Sequence, residues 1–179
     1  LERFPEQMKQ RESMLGYMEE SLSEVPGVSL LKRDLRHTRR SFYRYVISID
    51  PEYFKCEHLE FCYALNKEGV PCWEGYQAMH HYDLFQPKLS KLPVPNAFPE
   101  YFNFEKMSFP LAERAGEREA VYLDESIFRA GKEGVDDTVR VLNKLGQCQN
   151  ELAELSQIRK KMVAEHGKVD LSELQDMAK

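Results

Sequence analysis

From Ser41 to Asp50 the side chains alternate in character with a period of two. Tyr43, Tyr45, Ile47 and Ile49 fall on one side, and Phe42, Arg44, Val46 and Ser48 on the other. That pattern is a strand with one apolar face and one mixed face. Such a strand needs partners along its edges and a covering layer on its apolar side, so it constrains the fold more than any other stretch. Asp50-Pro51 closes it. Arg44 leaves from the mixed face beside Phe42 and Val46, where an arginine either pairs with a carboxylate or meets the acid group of a ligand.

The covering layer is legible as helical periodicity. Phe4, Met8, Leu15, Met18, Leu22 and Val25 recur at helical spacing over residues 2–25, with Pro5 tolerable in a first turn and Pro26-Gly27 as the stop. A second helix spans 56–68, burying Leu59, Phe61, Cys62 and Leu65 and ending at Gly69. A long third helix starts near Gly134-Val135, where Asp136 and Asp137 complement its positive end. Its stripe runs from Val141 through Cys148 to Met162, and Gly167 stops it. That stripe exceeds what a small core needs, so its distal half is expected to face another chain or domain, and Met8 and Leu15 of the first helix are expected to add to an exposed apolar face.

Shorter elements fill the gaps. Strands are expected at Val28–Leu31, Val70–Trp73 and Ala120–Leu123, and short helices at Tyr101–Lys106 and Pro110–Glu117. Lys88–Pro99 is proline-rich and reads as an extended surface crossing, Asp124–Glu133 as a loop, and Asp170–Lys179 as a weak tail helix. The order is helix, strand, strand, helix, strand, crossing, strand, helix. It predicts an α+β fold, a small mostly antiparallel sheet with helices on one face.

Length and charge narrow the function classes. The chain has 179 residues, 42% apolar and 31% charged, which suits one domain with a real core rather than a disordered segment. A net charge of -5 argues against a dedicated nucleic-acid binder. No apolar run approaches the ~18 residues of a membrane span, and no signal peptide is visible. Cys56, Cys62, Cys72 and Cys148 follow no CxxC spacing and read as reduced thiols of a cytoplasmic protein. No two close ligand pairs stand out, so no metal site is expected.

Chemistry concentrates in Gly75–Pro87, which holds Tyr76, His80, His81, Tyr82 and Asp83 without an apolar period of its own. His80 and His81 either cover a hydrophobic corner with Phe85 and Trp73 or bind something. Lys32–Arg40 carries five permanent cations in nine residues, a phosphate site or a solvated loop. Catalytic templates are weak: Cys72 and His80 could pair as nucleophile and base only if the fold joins them. No glycine-rich phosphate loop exists, and no lysine sits in an apolar setting.

One family pattern does fit. Arg40-Ser41-Phe42-Tyr43-Arg44-Tyr45, then Leu65–Gly69 with Val70-Pro71-Cys72, then Gly75-Tyr76 through Met79-His80, begin it. Leu84-Phe85-Gln86-Pro87, Phe109–Ala115 and Gly134-Val135-Asp136-Asp137 continue it. In order and spacing these resemble the C-terminal domain of the DegT/StrS family, pyridoxal-phosphate aminotransferases acting on sugars and cyclitols. The resemblance covers residues 1–146, leaving 147–179 as a helical extension and tail.

The resemblance implies the small domain of a fold-type-I aminotransferase. In that family an N-terminal domain carries the Schiff-base lysine, the carboxylate facing the pyridine nitrogen and most phosphate contacts. None of those motifs occurs here, and the chain opens on Leu1 inside a helical pattern, so it is expected to be a piece of a longer enzyme and inactive by itself. No catalytic or cofactor-binding residue is therefore expected in it. Pyridoxal phosphate would belong to the parent protein, with a keto-sugar or keto-cyclitol and an amino-acid donor as substrates and a homodimer as the assembly. His80 matches the family histidine facing the substrate side, Tyr76 the tyrosine of the preceding turn, and Arg44 an arginine of the strand, so the resemblance implies these three as substrate-binding residues, His80 foremost. Gln77 stands where the family usually has proline. A non-catalytic ligand-sensing or dimerisation module is the alternative.

Overall fold

Four antiparallel strands in the order β1-β2-β4-β3 form the sheet. They are β1 (Val28–Leu30), β2 (Arg44–Ile49), β3 (Cys72–Glu74) and β4 (Ala120–Asp124). The computed structural model describes residues 2–83, 91–103, 106–167, 169 and 173. The alternation of β2 decides the layering. Tyr45, Ile47 and Ile49 are buried with Val121 and Leu123 of β4 and Cys72 of β3 on the same side. Arg44, Val46, Tyr122 and Trp73 occupy the other face, aligned by the pairings Val46↔Tyr122 and Trp73↔Tyr122. Tyr43, read as part of the apolar face, is exposed because pairing starts one residue later, at Arg44↔Asp124.

Helices cover the apolar side, so the fold is α+β as the sequence implies. Helix α1 (Phe4–Leu22) has Pro5 in its first turn and buries Met8, Leu15, Met18 and Leu22. The expected exposure of Met8 and Leu15 is therefore overturned: both lie in contact with the interior, at 5% and 2% exposed. Phe4, by contrast, is exposed. Arg11 fastens α1 to the strand layer, donating to the Phe42 carbonyl at 2.9 Å and pairing with Glu125 at 2.8 Å. At the turn after α1, Gly27 has φ +75°, and a side chain there would run into the Tyr53 ring.

A short helix, α2 (Pro51–Phe54), precedes α3 (His58–Lys67); Asp50 caps α2 by accepting the Glu52 N–H at 2.9 Å. Gly69, at φ +88°, lets the chain leave α3, and the Val70 N–H returns to the Leu65 carbonyl at 2.9 Å. Phe54 and Phe61 meet edge-to-face with centroids 4.6 Å apart in the centre of the core.

Three expectations are corrected. The proline-rich crossing is not wholly extended: Pro93 starts a helical turn, α4 (Pro93–Ala97), followed by a 3-10 turn at Pro99–Phe102. Proline suits both first turns, where its missing N–H costs nothing. The segment after β4 is not a loop but α6 (Ser126–Arg129), whose first N–H is taken by the Asp124 carboxylate at 2.8 Å and whose Phe128 is fully buried. The long third helix is two: α7 (Lys132–Gln147) and α8 (Gln149–His166), separated at Cys148 with φ −99° and ψ 33°.

The break turns α8 back onto the domain. Leu152 enters the same core, and Arg159 reaches Glu57 and Glu60 of the α3 region at 2.5 Å each. Ile158 and Val163 remain exposed on its outer side. Helix α5 (Pro110–Arg114) runs into a π-helical turn at Ala115–Glu119, which leads into β4. Leu84–Pro87 of the quoted family pattern, 88–90 of the crossing, part of the expected 101–106 helix and nearly all of the tail lie outside the described residues. No helix among the described residues is long and apolar enough to cross a membrane.

Candidate functional site

Two groups of side chains lie around the end of β3. The first is the mixed face of the sheet. The Arg44 guanidinium stacks on the Trp73 ring 3.8 Å from its centroid and flanks Tyr43 at 5.2 Å. Tyr76, just after β3, rests edge-on against Tyr122 at 5.5 Å. Tyr122 is the cross-strand neighbour of Trp73, so Arg44 and Tyr76 share one aromatic face. The sequence left two fates for Arg44. Among the described residues it makes no ion pair, and its buried Nε has no hydrogen-bond partner. Tyr76 is 66% exposed on that face.

The second group gathers where the chain turns after Tyr76. A 3-10 turn at Met79–His81 lays His80 and His81 side by side, with ring centroids 4.0 Å apart. His80 is buried against the edge of Phe109, and its Nε2 lies 3.0 Å from Oε1 of Glu113 on α5. Glu113 also accepts the Phe109 N–H at 2.6 Å. That backbone bond, helped by His80, holds the Glu113 carboxyl below its ordinary range against some desolvation. His81 Nδ1–H donates to Glu117 at 2.5 Å, and Glu117 also accepts the Ala78 N–H at 3.4 Å.

Backbone packing fixes this turn. The Gly75 N–H donates to the Ala120 carbonyl at 2.9 Å, tying the turn to the start of β4. Gly116 of the π-turn faces the Tyr76 carbonyl so closely that a Cβ would stand 2.2 Å from it. His58 supports the same corner from below, its Nδ1–H donating to the Ala120 carbonyl at 3.1 Å. Burial pushes the His58 pKa down, partly offset by that hydrogen bond.

Glu113 and Glu117 were not singled out from sequence. They sit 33 and 36 residues from their histidine partners, and no local pattern announces them. Trp73 and Tyr122 were legible as strand residues, and the register of β3 on β4 sets them side by side on the outer face. Cys72 points into the core towards Cys62 and Asn66. The imidazole of His80 instead faces Glu113, so a Cys72–His80 nucleophile pair does not form.

Three of the five cations in the basic loop are spent locally, Arg36 on Asp34, Arg39 on Glu12 and Arg40 on Glu19. A cavity of about 390 Å³ opens beside this loop between Leu15, Phe42 and Tyr45; Arg44 is on its wall, but Tyr76 and His80 are not. Every lysine among the described residues is exposed, so none is set up for a Schiff base.

Comparison with known proteins places the chain. It is 30% identical over 161 residues to a Micromonospora echinospora protein named "Putative L-glutamine:3-amino-2,3-dideoxy-scyllo-inosose aminotransferase", covering 85% of this chain and 38% of that protein. A Streptoalloteichus tenebrarius protein of the same name is 27% identical over 151 residues, covering 81% and 36%. The chain thus spans well under half the length of these relatives. The crystal structure of 3-amino-5-hydroxybenzoic acid (AHBA) synthase shares the fold, with a TM-score of 0.59 at 18% identity over 80% of this chain and 35% of that one. The model of the DegT/DnrJ/EryC1/StrS aminotransferase family matches residues 1–122. The chain belongs to the DegT/DnrJ/EryC1/StrS aminotransferase family.

Proposed function

We propose that this chain is the C-terminal domain of a pyridoxal-phosphate-dependent aminotransferase that moves an amino group to a keto-sugar or keto-cyclitol. The family match over residues 1–122 carries the reading. The names of the two relatives supply L-glutamine as the donor and an aminocyclitol as the substrate type. Residues 1–146 form the aminotransferase-like domain, and 147–179 an extension whose α8 folds back on it. A cytoplasmic homodimer serving sugar or cyclitol biosynthesis belongs to the same proposal, since family members place the active site at a subunit interface.

The described residues do not fit a cofactor site of their own, because every described lysine is exposed. The lysine and the phosphate contacts are to be sought in the parent protein outside this chain. When bound, the cofactor supplies the electron sink, and the protein supplies binding and orientation. In this reading Arg44 takes an acid group of the donor, held flat by Trp73, and the Tyr76 hydroxyl meets a substrate hydroxyl. His80, read from the sequence as a substrate contact, is buried on Glu113, and in this reading it holds the turn presenting Tyr76.

Amination of keto-cyclitols by the parent protein, with glutamine as donor, tests this. Arg44→Gln is expected to raise the donor KM roughly 10–100-fold, the worth of a charge-assisted hydrogen bond of about 1.5–3 kcal/mol. Tyr76→Phe is expected to raise the KM of the acceptor rather than that of the donor. Parent protein without any transamination, and without response to either substitution, would favour the sensing or dimerisation module.

A further inference from the structure

We propose that His80, His81 and Glu113 form a binding site for a divalent transition metal of the Zn²⁺ class, clamping the turn after β3 to α5. The ligand atoms of the three all lie within 4.8 Å of one another, an arrangement found in no other group of His, Cys, Asp or Glu among the described residues. His80 Nε2 and Glu113 Oε1 are 3.0 Å apart. Two donors each about 2.0–2.2 Å from one ion stand roughly 3.0–3.5 Å apart at ordinary ligand angles, so this pair already has the spacing of neighbouring ligands. His81, more exposed than its neighbour, is the third member of the set.

The surroundings are those of a ligand set. Glu117 accepts from Nδ1 of His81, which orients the ring and leaves Nε2 as its lone-pair nitrogen. A carboxylate behind a ligand histidine is the usual support of such a site. Glu113 is aimed by the Phe109 N–H at 2.6 Å and by Ser108 Oγ–H at 3.4 Å, so its carboxylate is preoriented. His80 is packed against Phe109 and cannot swing away. Two imidazoles with one carboxylate suit Zn²⁺, Co²⁺ or Ni²⁺, whereas Mg²⁺ and Ca²⁺ prefer all-oxygen sets. Three protein donors leave a coordination position for water or a ligand oxygen. The sequence offered only the adjacent His80-His81 pair; the third donor arrives from 33 residues away through the fold.

The site stands independently of the aminotransferase reading, because donors and test involve this chain alone. Calorimetric titration of the 179-residue chain with zinc chloride in a non-chelating buffer is expected to give one site per chain. His81→Ala and Glu113→Gln should each weaken it at least ~10-fold, and Glu117→Gln roughly 10–100-fold, as for other supporting carboxylates. His37→Ala, in the basic loop, should leave it unchanged. Metal-free melting of each variant, followed by circular dichroism, identifies any variant that fails to fold, and His81→Ala, altering an exposed side chain, should melt like the parent chain. Cobalt substitution should give visible d–d bands without thiolate charge transfer. No zinc binding up to millimolar, binding indifferent to His81→Ala and Glu113→Gln, or a thiolate band would each overturn the proposal.

Discussion

Arg159 should be the residue whose loss most weakens the attachment of α8. Its guanidinium donates from Nε to Glu60 and from Nη2 to Glu57, both at 2.5 Å. Glu60 is 0% exposed, and its second oxygen has no hydrogen-bond partner among the described residues. Arg159→Met would therefore strand a carboxylate in the core without its counter-charge. Breaking a buried pair from one side costs about 3–5 kcal/mol, most of it the penalty on the ion left behind. For a chain of this size each kcal/mol moves the melting temperature about 2–4 °C, so a fall of roughly 6–20 °C is expected at pH 7. Urea unfolding of the 179-residue chain measures the free energy directly. The double variant Glu60→Met with Arg159→Met should recover most of the loss, since apolar replacement of a buried pair is often neutral or better. A loss under about 1 kcal/mol for Arg159→Met would refute the reasoning.

Three further outcomes follow from the same packing. Gly116→Ala forces a methyl into the Tyr76 carbonyl and should cost about 1–3 kcal/mol by urea unfolding, with changed Tyr76 fluorescence. Burial lowers the His58 pKa below its ordinary value, so near pH 6 the unfolded chain binds more protons than the native one. The stability from keeping His58 neutral is complete above about pH 6.5 and is lost as the pH falls through the lowered native value. Thermal melts between pH 7.5 and 5 should therefore show a steeper acid-side loss in the parent chain than in His58→Asn. Among the four cysteines only Cys148 is not buried, and burial raises the Cys56 and Cys62 thiols. Thiol titration should then give one fast-reacting group natively, abolished by Cys148→Ser, and four in denaturant.

What the sequence disclosed was set by how local the physics is. The period of β2 announced both its buried face and the outward path of Arg44, because alternation is a property of neighbouring residues. Gly69 and Pro26-Gly27 marked helix ends for the same reason. The division of the third helix was not legible, since the apolar stripe continues through Cys148. Its cause is tertiary: Leu152 and Arg159 find partners in the core and on Glu57 and Glu60 only if α8 turns back. Met8 and Leu15 read as an exposed face in the sequence because the elements packed on α1, chiefly α6 and α7, come from later in the chain. At the site, His80 and Tyr76 were named from their loop, whereas Glu113 and Glu117 needed the fold. The family resemblance supplied what periodicity lacked, and the match over residues 1–122 bears it out.

Absorbance of bound pyridoxal phosphate tests the central claim most directly, measured on this chain and on the protein extended upstream of Leu1. We expect a protein-bound cofactor band, lost on borohydride treatment, in the extended protein and none in the 179-residue chain. Absence of the band from both would contradict the aminotransferase reading and leave a family-related fold without the family's chemistry.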